Sequence, residues 1–204
     1  GSEMCIRDRK KSMSLIRYEP YGVVGCILPW NYPLSLMGWK LAPALAAGNT
    51  IIMKPSEITS TSLLHWAEIV GDIMPPGVLN VITGYGAEAG EEIVKHPSIP
   101  VITFTGSVKT GKKIAMHAAE NLKKVSLELG GKDPAIICDD ADIDVAAKGT
   151  SWGALVNSGQ VCTSIERVYV FSNIADRFTE SLVEESKKVK LGDPMDADTD
   201  LGPM

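Results

Sequence analysis

Apolar residues occur along the first part of the chain in short continuous runs that alternate with segments of helical periodicity. The runs predict strands over residues 22–28, 50–53, 78–82, 101–104 and 125–127. The segments between them predict helices over residues 34–47, from a capping Ser60 or Thr61 to Ile73, over 87–95 and over 106–121. Strands that are apolar at every position are typical of a parallel sheet with helices on both faces. We therefore expect an α/β fold with a Rossmann-like, doubly wound parallel sheet.

The same pattern restarts after Gly131. It predicts strands over residues 133–138 and 167–171, a helix capped by Asp142 that runs towards Val156, and a helix capped by Asn173 that runs to Lys190. We place a domain boundary at the pair Gly130 and Gly131, so that residues 17–129 form one domain and residues 130–204 begin another. Two strands are too few for a sheet with covered edges, and we expect this second domain to be incomplete. Residues 1–16 are mostly polar and lack periodicity, and we interpret them as a non-native or disordered leader.

The composition is that of an ordinary globular protein, with 45% hydrophobic and 22% charged residues among 204. A net charge of −5 without a basic stripe argues against a nucleic-acid partner. Membrane insertion is not expected either, because no apolar run approaches the roughly 18 residues that a spanning helix needs. The four cysteines lack metal-ligand spacing and the acidic run at 139–144 lacks the glycine of a calcium loop, so we predict no metal site. Free thiols without a secretory signal favour the cytoplasm.

Two segments that follow predicted strands carry groups suited to a nucleotide. Gly106 and Ser107 join the strand over 101–104 to the next helix, where backbone N–H groups and a hydroxyl can approach a phosphate. An ordinary strand–turn–helix connection has the same sequence character. Lys54 and Glu57 follow the strand over 50–53, at the edge where open α/β sheets bind ligands, and could contact ribose hydroxyls. The alternative for this second segment is a solvated loop.

The segment PWNYP, residues 29–33, follows the first predicted strand. Two prolines and two aromatic residues predict a stiff turn that would hold the amide of Asn31 in one direction. A fixed amide is what an oxyanion site requires. Asn31 could equally cap the helix that follows.

Glu128 and Cys162 are the candidate catalytic pair. Glu128 precedes two glycines and Cys162 lies in the segment GQVCT, so small residues beside each group allow a ligand to approach. A thiol is nucleophilic only as its thiolate, which a nearby base or an electropositive pocket favours. Taken singly, a glutamate at a strand end and a buried cysteine also have ordinary structural explanations.

Five segments, PWNYP, KPSE, FTGSVKTG, LELGGK and GQVC, occur in this order along the chain. In this order and at these separations they resemble the aldehyde dehydrogenase superfamily, from about residue 17 to residue 204. The resemblance is to the NAD-dependent, non-acylating type and implies oxidation of an aldehyde to a carboxylic acid. It identifies Cys162 as the nucleophile that forms a thiohemiacetal and then a thioester. Glu128 is identified as the base that activates the hydrolytic water.

The same resemblance implies roles for two further catalytic residues and for the cofactor contacts. Asn31, with the backbone N–H of Cys162, matches the oxyanion site, and Lys40 matches a residue that assists proton movement near Glu128. The implied NAD contacts are Lys54 and Glu57 at the adenosine ribose, Gly106 and Ser107 at the pyrophosphate, Gly86 near the adenine, and also Leu28, Pro29, Trp30 and Leu129. Because Glu57 beside a ribose would repel a 2′-phosphate, we prefer NAD to NADP.

The sequence also departs from the superfamily. Its members are more than twice as long, and the Glu-x-Phe-Gly-Pro segment that binds the nicotinamide ribose is missing from this chain. We therefore expect a truncated fragment with little or no turnover of its own. The resemblance implies a small aldehyde as substrate and a homodimer or homotetramer for the intact protein.

Two other functions remain open at this stage. A catalytically silent fragment would bind a dinucleotide without aldehyde-dependent reduction. A cysteine-nucleophile acyl-transfer enzyme without nicotinamide would need a histidine base, and none of His65, His96 and His117 lies in a motif that suggests one.

Overall fold

A computed structural model describes residues 15–204, so the predicted leader lies outside the described residues except for its last two positions. The chain divides into two compact units, the first ending at Glu128 and the second comprising Leu129–Met204. The division therefore falls just before Gly130 and Gly131, the predicted domain boundary.

The first unit is an α/β structure around a five-stranded sheet with the spatial order β3 (Leu79–Val81), β2 (Thr50–Lys54), β1 (Val23–Ile27), β4 (Val101–Gly106) and β5 (Lys124–Leu129). β1 pairs in parallel with β2 and β4, and β2 pairs in parallel with β3. The doubly wound parallel sheet predicted from the sequence is thus confirmed. The elements in chain order are β1 (Val23–Ile27), α1 (Pro33–Ala46), β2 (Thr50–Lys54), α2 (Ser60–Val70), β3 (Leu79–Val81), a π-helical turn (Gly86–Gly90), α3 (Glu91–Lys95), β4 (Val101–Gly106), α4 (Val108–Glu120) and β5 (Lys124–Leu129).

The strand order fixes where a ligand can bind. The chain leaves β1 towards β2 on one side and returns to β4 on the other side. The connections after β1 and β4 therefore diverge, which leaves a crevice at the carboxyl ends of these strands. Most predicted cofactor residues lie at or just after the carboxyl ends of β1, β2 and β4, whereas Gly86 follows β3 and Leu129 ends β5.

The apolar runs form the core of this unit. Cys26, Ile51, Met53 and Ile102, from β1, β2 and β4, are completely buried, as is Leu63 of α2. A strand that is buried on both faces carries apolar residues at successive positions and does not alternate between apolar and polar ones. The continuous apolar runs therefore predicted these strands correctly.

Several predicted helix ends differ from the structure. Thr59, not Ser60 or Thr61, occupies the N-cap position of α2, and its side chain makes no capping hydrogen bond. The helix ends at Val70 instead of Ile73 because Gly71, with its low helix propensity, closes it through a bond to Glu68. The helix predicted over 87–95 is a π-helical turn bounded by Gly86 and Gly90, followed by the short α3.

The second unit contains a two-stranded parallel sheet packed with two helices. Its elements are β6 (Asp133–Ile137), α5 (Ile143–Leu155), a 3₁₀ turn (Val156–Gly159), β7 (Ile165–Val170) and α6 (Ala175–Lys187). Ile137, Ala147, Ile174 and Phe178 form its buried core.

The N-cap residues of α5 and α6 can be compared with the two caps predicted from the sequence, Asp142 and Asn173. Asp142 caps α5 as predicted, because its carboxylate accepts hydrogen bonds from the N–H groups of Asp144 and Val145 at 3.0 and 3.1 Å. The predicted cap at Asn173 is wrong. Ile174 occupies the N-cap position of α6. Its side chain is buried and its N–H donates to the carbonyl oxygen of Phe171, so residues 171–174 form a turn that precedes the helix. Among the helices of residues 15–204, none is long and apolar enough to cross a membrane.

Candidate functional site

The carboxyl end of β2 carries a buried lysine. Lys54 is the last residue of this strand and is only 2% exposed. Its Nζ donates to the carbonyl oxygen of Pro55 at 2.8 Å and lies 3.6 Å from a carboxylate oxygen of Glu57, which is itself exposed. An ammonium is costly to bury unless it is paired, so these two partners stabilise Lys54 at the edge of the sheet.

The turn after β1 reaches the same edge. Leu28 is buried, and its N–H donates to the carbonyl oxygen of Lys54 at 2.9 Å. Trp30 is 43% exposed and Asn31 is half-buried. Tyr32, not Asn31, occupies the N-cap position of α1, because a proline at the first helical position is already set for helix entry. The alternative in which Asn31 is the N-cap residue is therefore wrong.

The connection from β4 to α4 depends on both of its predicted residues. A Cβ on Gly106 would lie 2.5 Å from the ring of Phe104, so glycine is required there. Ser107 is the N-cap residue of α4: its Oγ accepts from the N–H of Thr110 at 3.2 Å, and its hydroxyl donates to Thr110 Oγ1 at 3.0 Å. The positive end of the α4 dipole therefore begins at the carboxyl edge of the sheet.

A cavity of about 300 Å³ lies beside the end of β1. Its wall is formed by Ile27, by Gly86 and Gly90 of the π-helical turn, and by Thr110 and Ile114 of α4. A Cβ on Gly90 would lie 3.6 Å from Cδ of Lys54, so the lysine stem passes behind the wall of this cavity. The structure thus brings Lys54, the predicted Gly86 and the start of α4 to one edge of the first unit.

A second buried lysine lies on α1. Lys40 is 8% exposed, and its Nζ donates to the hydroxyl of Thr103 at 2.9 Å. Burial lowers the pKa of Lys40, while the nearby Cys26 and Glu128 raise it. The charge of Glu128, an exposed residue near the end of β5, therefore acts on Lys40 within the first unit. Thr103 was not among the predicted site residues, because a threonine fits a strand with or without a lysine beside it.

In the second unit, Cys162 lies between the 3₁₀ turn and β7 and is half-buried. A Cβ on Gly131 would lie 3.7 Å from the carbonyl oxygen of Cys162 and 2.6 Å from Oδ1 of Asp133. The segment after β5 therefore passes within van der Waals contact of the Cys162 backbone, and the short contact of an added Cβ would be with the Asp133 carboxylate. Leu129, also predicted at the site, ends β5 and is half-buried.

Side-chain contacts join the segment after Gly131 to β7, the strand that follows Cys162. Lys132 forms an ion pair with Glu166, and Nε of Arg167 donates to the carbonyl oxygen of Lys132 at 3.0 Å. The Arg167 guanidinium also lies 5.9 Å from the centre of the Tyr169 ring. These contacts, which the sequence analysis did not predict, connect the segment after Gly131 to the strand after Cys162.

Comparison with known proteins finds one family over nearly the whole chain. A model of the aldehyde dehydrogenase family matches residues 2–204. The chain is 48% identical over 192 residues to a chloroplastic aminoaldehyde dehydrogenase of Arabidopsis thaliana, covering 94% of this chain and 38% of that protein. It is 49% identical over 190 residues to betaine aldehyde dehydrogenase 1 of rice (Oryza sativa subsp. japonica), covering 93% of this chain and 38% of that protein. The chain therefore spans about two fifths of the length of these curated relatives.

Solved structures give the same result. Betaine aldehyde dehydrogenase from Staphylococcus aureus, in complex with NAD+, matches with a TM-score of 0.92 and 43% identity, over 99% of this chain and 40% of that one. A mutant of aldehyde dehydrogenase C from Pseudomonas syringae, in complex with NAD+ and octanal, matches with a TM-score of 0.87 and 40% identity, over 91% and 39%. The names of some relatives place those proteins in chloroplasts or peroxisomes, so a cytoplasmic location for this chain stays a prediction.

Proposed function

The chain belongs to the aldehyde dehydrogenase family, and we propose that it supplies the NAD-binding and thiol-bearing parts of an enzyme that oxidises an aldehyde to a carboxylic acid. The observation that carries this proposal is the group of features at the carboxyl edge of the first sheet. Buried Lys54, exposed Glu57, the start of α4 at Ser107 and the neighbouring cavity lie at that edge. A dinucleotide presents an aromatic ring, ribose hydroxyls and a pyrophosphate, and these features suit each of them.

The cavity suits the adenine ring. Its wall is largely apolar, with Ile27 and Ile114 on two sides. Gly86 carries no side chain, and no atom of the described residues lies within 4 Å of the position where its Cβ would be. A flat ring therefore has room beside Gly86, and apolar surface on the ring is removed from water there.

Lys54 and Glu57 suit the adenosine ribose. The ammonium and the carboxylate are already held 3.6 Å apart, so both hydroxyls of a ribose can find a charged partner in one place. The carboxylate of Glu57 disfavours a 2′-phosphate on that ribose, because like charges repel at short range. This supports NAD over NADP as the cofactor.

The start of α4 suits the pyrophosphate. Backbone N–H groups in the first turn of a helix have no intrahelical partner, and the helix dipole favours a negative charge there. Ser107 keeps this turn in place through its hydrogen bonds with Thr110.

For the chemistry, we assign the nucleophile to Cys162. Its thiolate attacks the carbonyl carbon of the aldehyde, which gives a thiohemiacetal whose oxygen is negatively charged. The amide of Asn31 and the backbone N–H of Cys162 stabilise that oxygen. NAD, when bound, supplies the acceptor for the hydride that leaves this carbon, and Cys162 then holds the acyl group as a thioester.

Glu128 is assigned to the hydrolytic step. Its carboxylate takes a proton from water, and the resulting hydroxide attacks the thioester carbonyl and releases the carboxylic acid from Cys162. Lys40 assists proton movement near Glu128, and the electrostatic interaction between these two residues supports that role. A base at this position favours hydrolysis over transfer of the acyl group to coenzyme A.

NAD binding is tested by filling the cavity. In Gly86→Leu the added Cβ has no described atom within 4 Å, and the side chain beyond it occupies the space proposed for adenine. Gly149→Leu is the matched control, because that glycine also lies in open space, in α5 of the second unit. Calorimetric titration should show NAD affinity lowered at least tenfold in Gly86→Leu and unchanged in Gly149→Leu. Equal NAD affinity in the two variants would overturn the assignment of the cavity.

The reaction is tested by following NADH formation with NAD and a panel of short-chain aldehydes, aminoaldehydes, betaine aldehyde and octanal. We propose that the chain by itself turns over slowly, so a single turnover per chain counts as activity. NADH formation should be lost in Cys162→Ala and kept in Cys138→Ala, whose thiol is exposed. NADH formation that survives in Cys162→Ala contradicts the assigned nucleophile. NAD binding without NADH from any aldehyde would instead support the catalytically silent binder.

A further inference from the structure

The backbone just before Cys162 adopts an unusual conformation. Asn157, Ser158 and Gly159 are three consecutive residues in the left-handed region, with φ of 52°, 58° and 74°. Left-handed backbone is accessible to glycine but disfavoured for residues with a Cβ, although asparagine tolerates it better than most. Two disfavoured residues in a row persist only where surrounding contacts hold them, and such segments cluster at functional sites.

Asn157 and Gln160 supply such contacts to each other. Nε2 of Gln160 donates to the carbonyl oxygen of Asn157 at 3.0 Å, and Nδ2 of Asn157 donates to the carbonyl oxygen of Gln160 at 3.3 Å. The backbone N–H of Gln160 donates to the same Asn157 carbonyl at 3.1 Å. Each side chain thus bonds to the backbone of the other residue, and the three bonds close the left-handed turn. We refer to this arrangement as the Asn157–Gln160 clamp.

A second anchor lies on the other side of Cys162. Ser164 is 3% exposed, and its hydroxyl donates to the carbonyl oxygen of Ala154 at 3.3 Å. Its N–H donates to the carbonyl oxygen of Val161 at 3.1 Å. Cys162 therefore lies between the clamp, which ends two residues before it, and the buried Ser164, which follows two residues after it.

We propose that Asn157 and Gln160 are positioning residues for Cys162, and that their reciprocal hydrogen bonds hold the left-handed turn that sets the direction of the thiol. This inference rests on the proposed function, in which Cys162 is the nucleophile. Neither residue touches the reacting atoms in this role. They act by limiting the conformations of the backbone that carries Cys162, and a positioned nucleophile reacts with a bound aldehyde faster than a mobile one.

Three variants separate the hydrogen bonds from the backbone conformation. Gln160→Met keeps the length of the side chain but removes the Nε2 donor. Asn157→Asp keeps a residue that tolerates left-handed backbone but removes the Nδ2 donor. Ser158→Gly is the control, because it relieves the backbone conformation and leaves the clamp intact. Asn157→Gly serves as a further test if Asn157→Asp fails to fold, since glycine accepts the same φ.

The measurement is the rate at which iodoacetamide alkylates Cys26, Cys138 and Cys162 of the 204-residue chain, followed by mass spectrometry of the peptides. Loss of the clamp should raise the alkylation rate of the half-buried Cys162 at least threefold in Gln160→Met and in Asn157→Asp. The exposed Cys138 should react at its original rate, and the buried Cys26 should stay protected. Ser158→Gly should resemble the unaltered chain at all three cysteines.

The three cysteines distinguish a local effect from a loss of stability. An unchanged Cys162 rate in both clamp variants overturns the proposal, and so does a rise that Cys26 shares, because that result indicates general unfolding. Alkylation needs neither NAD nor aldehyde, so its outcome is independent of whether the dehydrogenase assignment holds. Where the chain forms NADH, the clamp variants should lower kcat at least fivefold with KM changed less than twofold, since the substrate contacts are not altered.

Discussion

The ammonium of Lys40 on α1 donates a hydrogen bond of 2.9 Å to the hydroxyl of Thr103 on β4, although the two residues are 63 positions apart in the chain. Thr103 lies opposite Cys26 of β1 in the parallel pairing of these strands. A buried cation, a hydroxyl and a thiol therefore meet where α1 covers the sheet. The lysine proposed to assist proton movement is therefore held by a residue on a different element of the first unit.

Replacing Thr103 by valine should destabilise the first unit. Valine has nearly the same shape but no oxygen, so Lys40 loses its hydrogen-bond acceptor in a buried position. We expect the free energy of unfolding in urea at neutral pH to fall by about 1–3 kcal/mol. Thr103→Ser, which keeps the hydroxyl, should lose clearly less. Equal losses in the two variants would show that the methyl group and not the hydrogen bond is responsible.

The same pair predicts how this loss depends on pH. Burial lowers the pKa of Lys40 below its ordinary value of 10.5. Between the lowered pKa and 10.5 the unfolded chain binds more protons than the folded one, so the contribution of Lys40 to stability rises with pH. In Thr103→Val, the free-energy penalty of burying an unpaired ammonium disappears when Lys40 loses its proton. The difference between the valine and serine variants should therefore narrow as the pH approaches 10.5, and a constant difference would contradict this account.

Cys26 should make the protein less stable at alkaline pH. Burial raises the pKa of this thiol from 9.0 to about 12, with Lys40 opposing the rise. Between these values the unfolded chain has released the proton and the folded chain has kept it, so the free energy of unfolding falls as pH rises, by about 1.4 kcal/mol per pH unit. Urea unfolding from pH 8 to about 10.5 should show a shallower fall in Cys26→Ala than in the unaltered chain. Cys138→Ala, which removes an exposed thiol, should leave the slope of the free energy of unfolding against pH unchanged. If Cys26→Ala shows the same slope as the unaltered chain, the Cys26 thiol is not the cause of the fall.

The sequence predicted the elements well because their hydrophobic pattern is simple. β1, β2 and β4 are largely buried on both faces, so their apolar runs are nearly continuous. Turn residues such as Gly48 and Gly77 separate strands from helices. Asp142 was predicted as a helix cap because nothing in its surroundings competes with its bonds to α5. At Asn173 the burial of the next residue, Ile174, decided where the helix begins, and burial in a tertiary core is not visible in a local cap motif.

The parts of the site that the sequence missed depend on contacts between distant segments or on backbone conformation. Thr103 fits a strand equally well with or without a lysine beside it, so its bond to Lys40 leaves no local signal. The left-handed turn at 157–159 contains only one glycine, and Asn157 and Ser158 suggest a helix end as readily as a constrained turn. The π-helical turn differs from an α-helix by one residue per turn, which a short apolar pattern does not resolve.

Glu57 should determine the preference for the unphosphorylated cofactor. Replacement by glutamine keeps the size and a hydrogen-bonding group but removes the charge that repels a 2′-phosphate. In calorimetric titrations, Glu57→Gln should bind NAD several-fold more weakly than the unaltered chain does. The ratio of its NAD affinity to its NADP affinity should fall at least fivefold. Glu68→Gln is the control, because Glu68 is an exposed glutamate on α2 whose carboxylate lies 3.7 Å from Nδ1 of His65. If the ratio is the same in Glu57→Gln and in the unaltered chain, Glu57 does not contact the ribose.

Ser107 has two separable roles, and two substitutions should move stability and cofactor affinity in different directions. Ser107→Ala removes the cap of α4, in which Oγ accepts from the N–H of Thr110, and should cost about 1 kcal/mol of stability. Ser107→Asp also caps the helix and adds a negative charge at its positive end, so its stability without NAD should match or exceed that of the unaltered chain. That same carboxylate would lie where the pyrophosphate is proposed to bind, and it should lower NAD affinity at least tenfold, whereas the alanine variant loses less. Thermal unfolding without NAD and NAD titration, performed on both variants, measure the two roles separately. An aspartate variant that is stable and binds NAD with unchanged affinity would show that the pyrophosphate does not approach the start of α4.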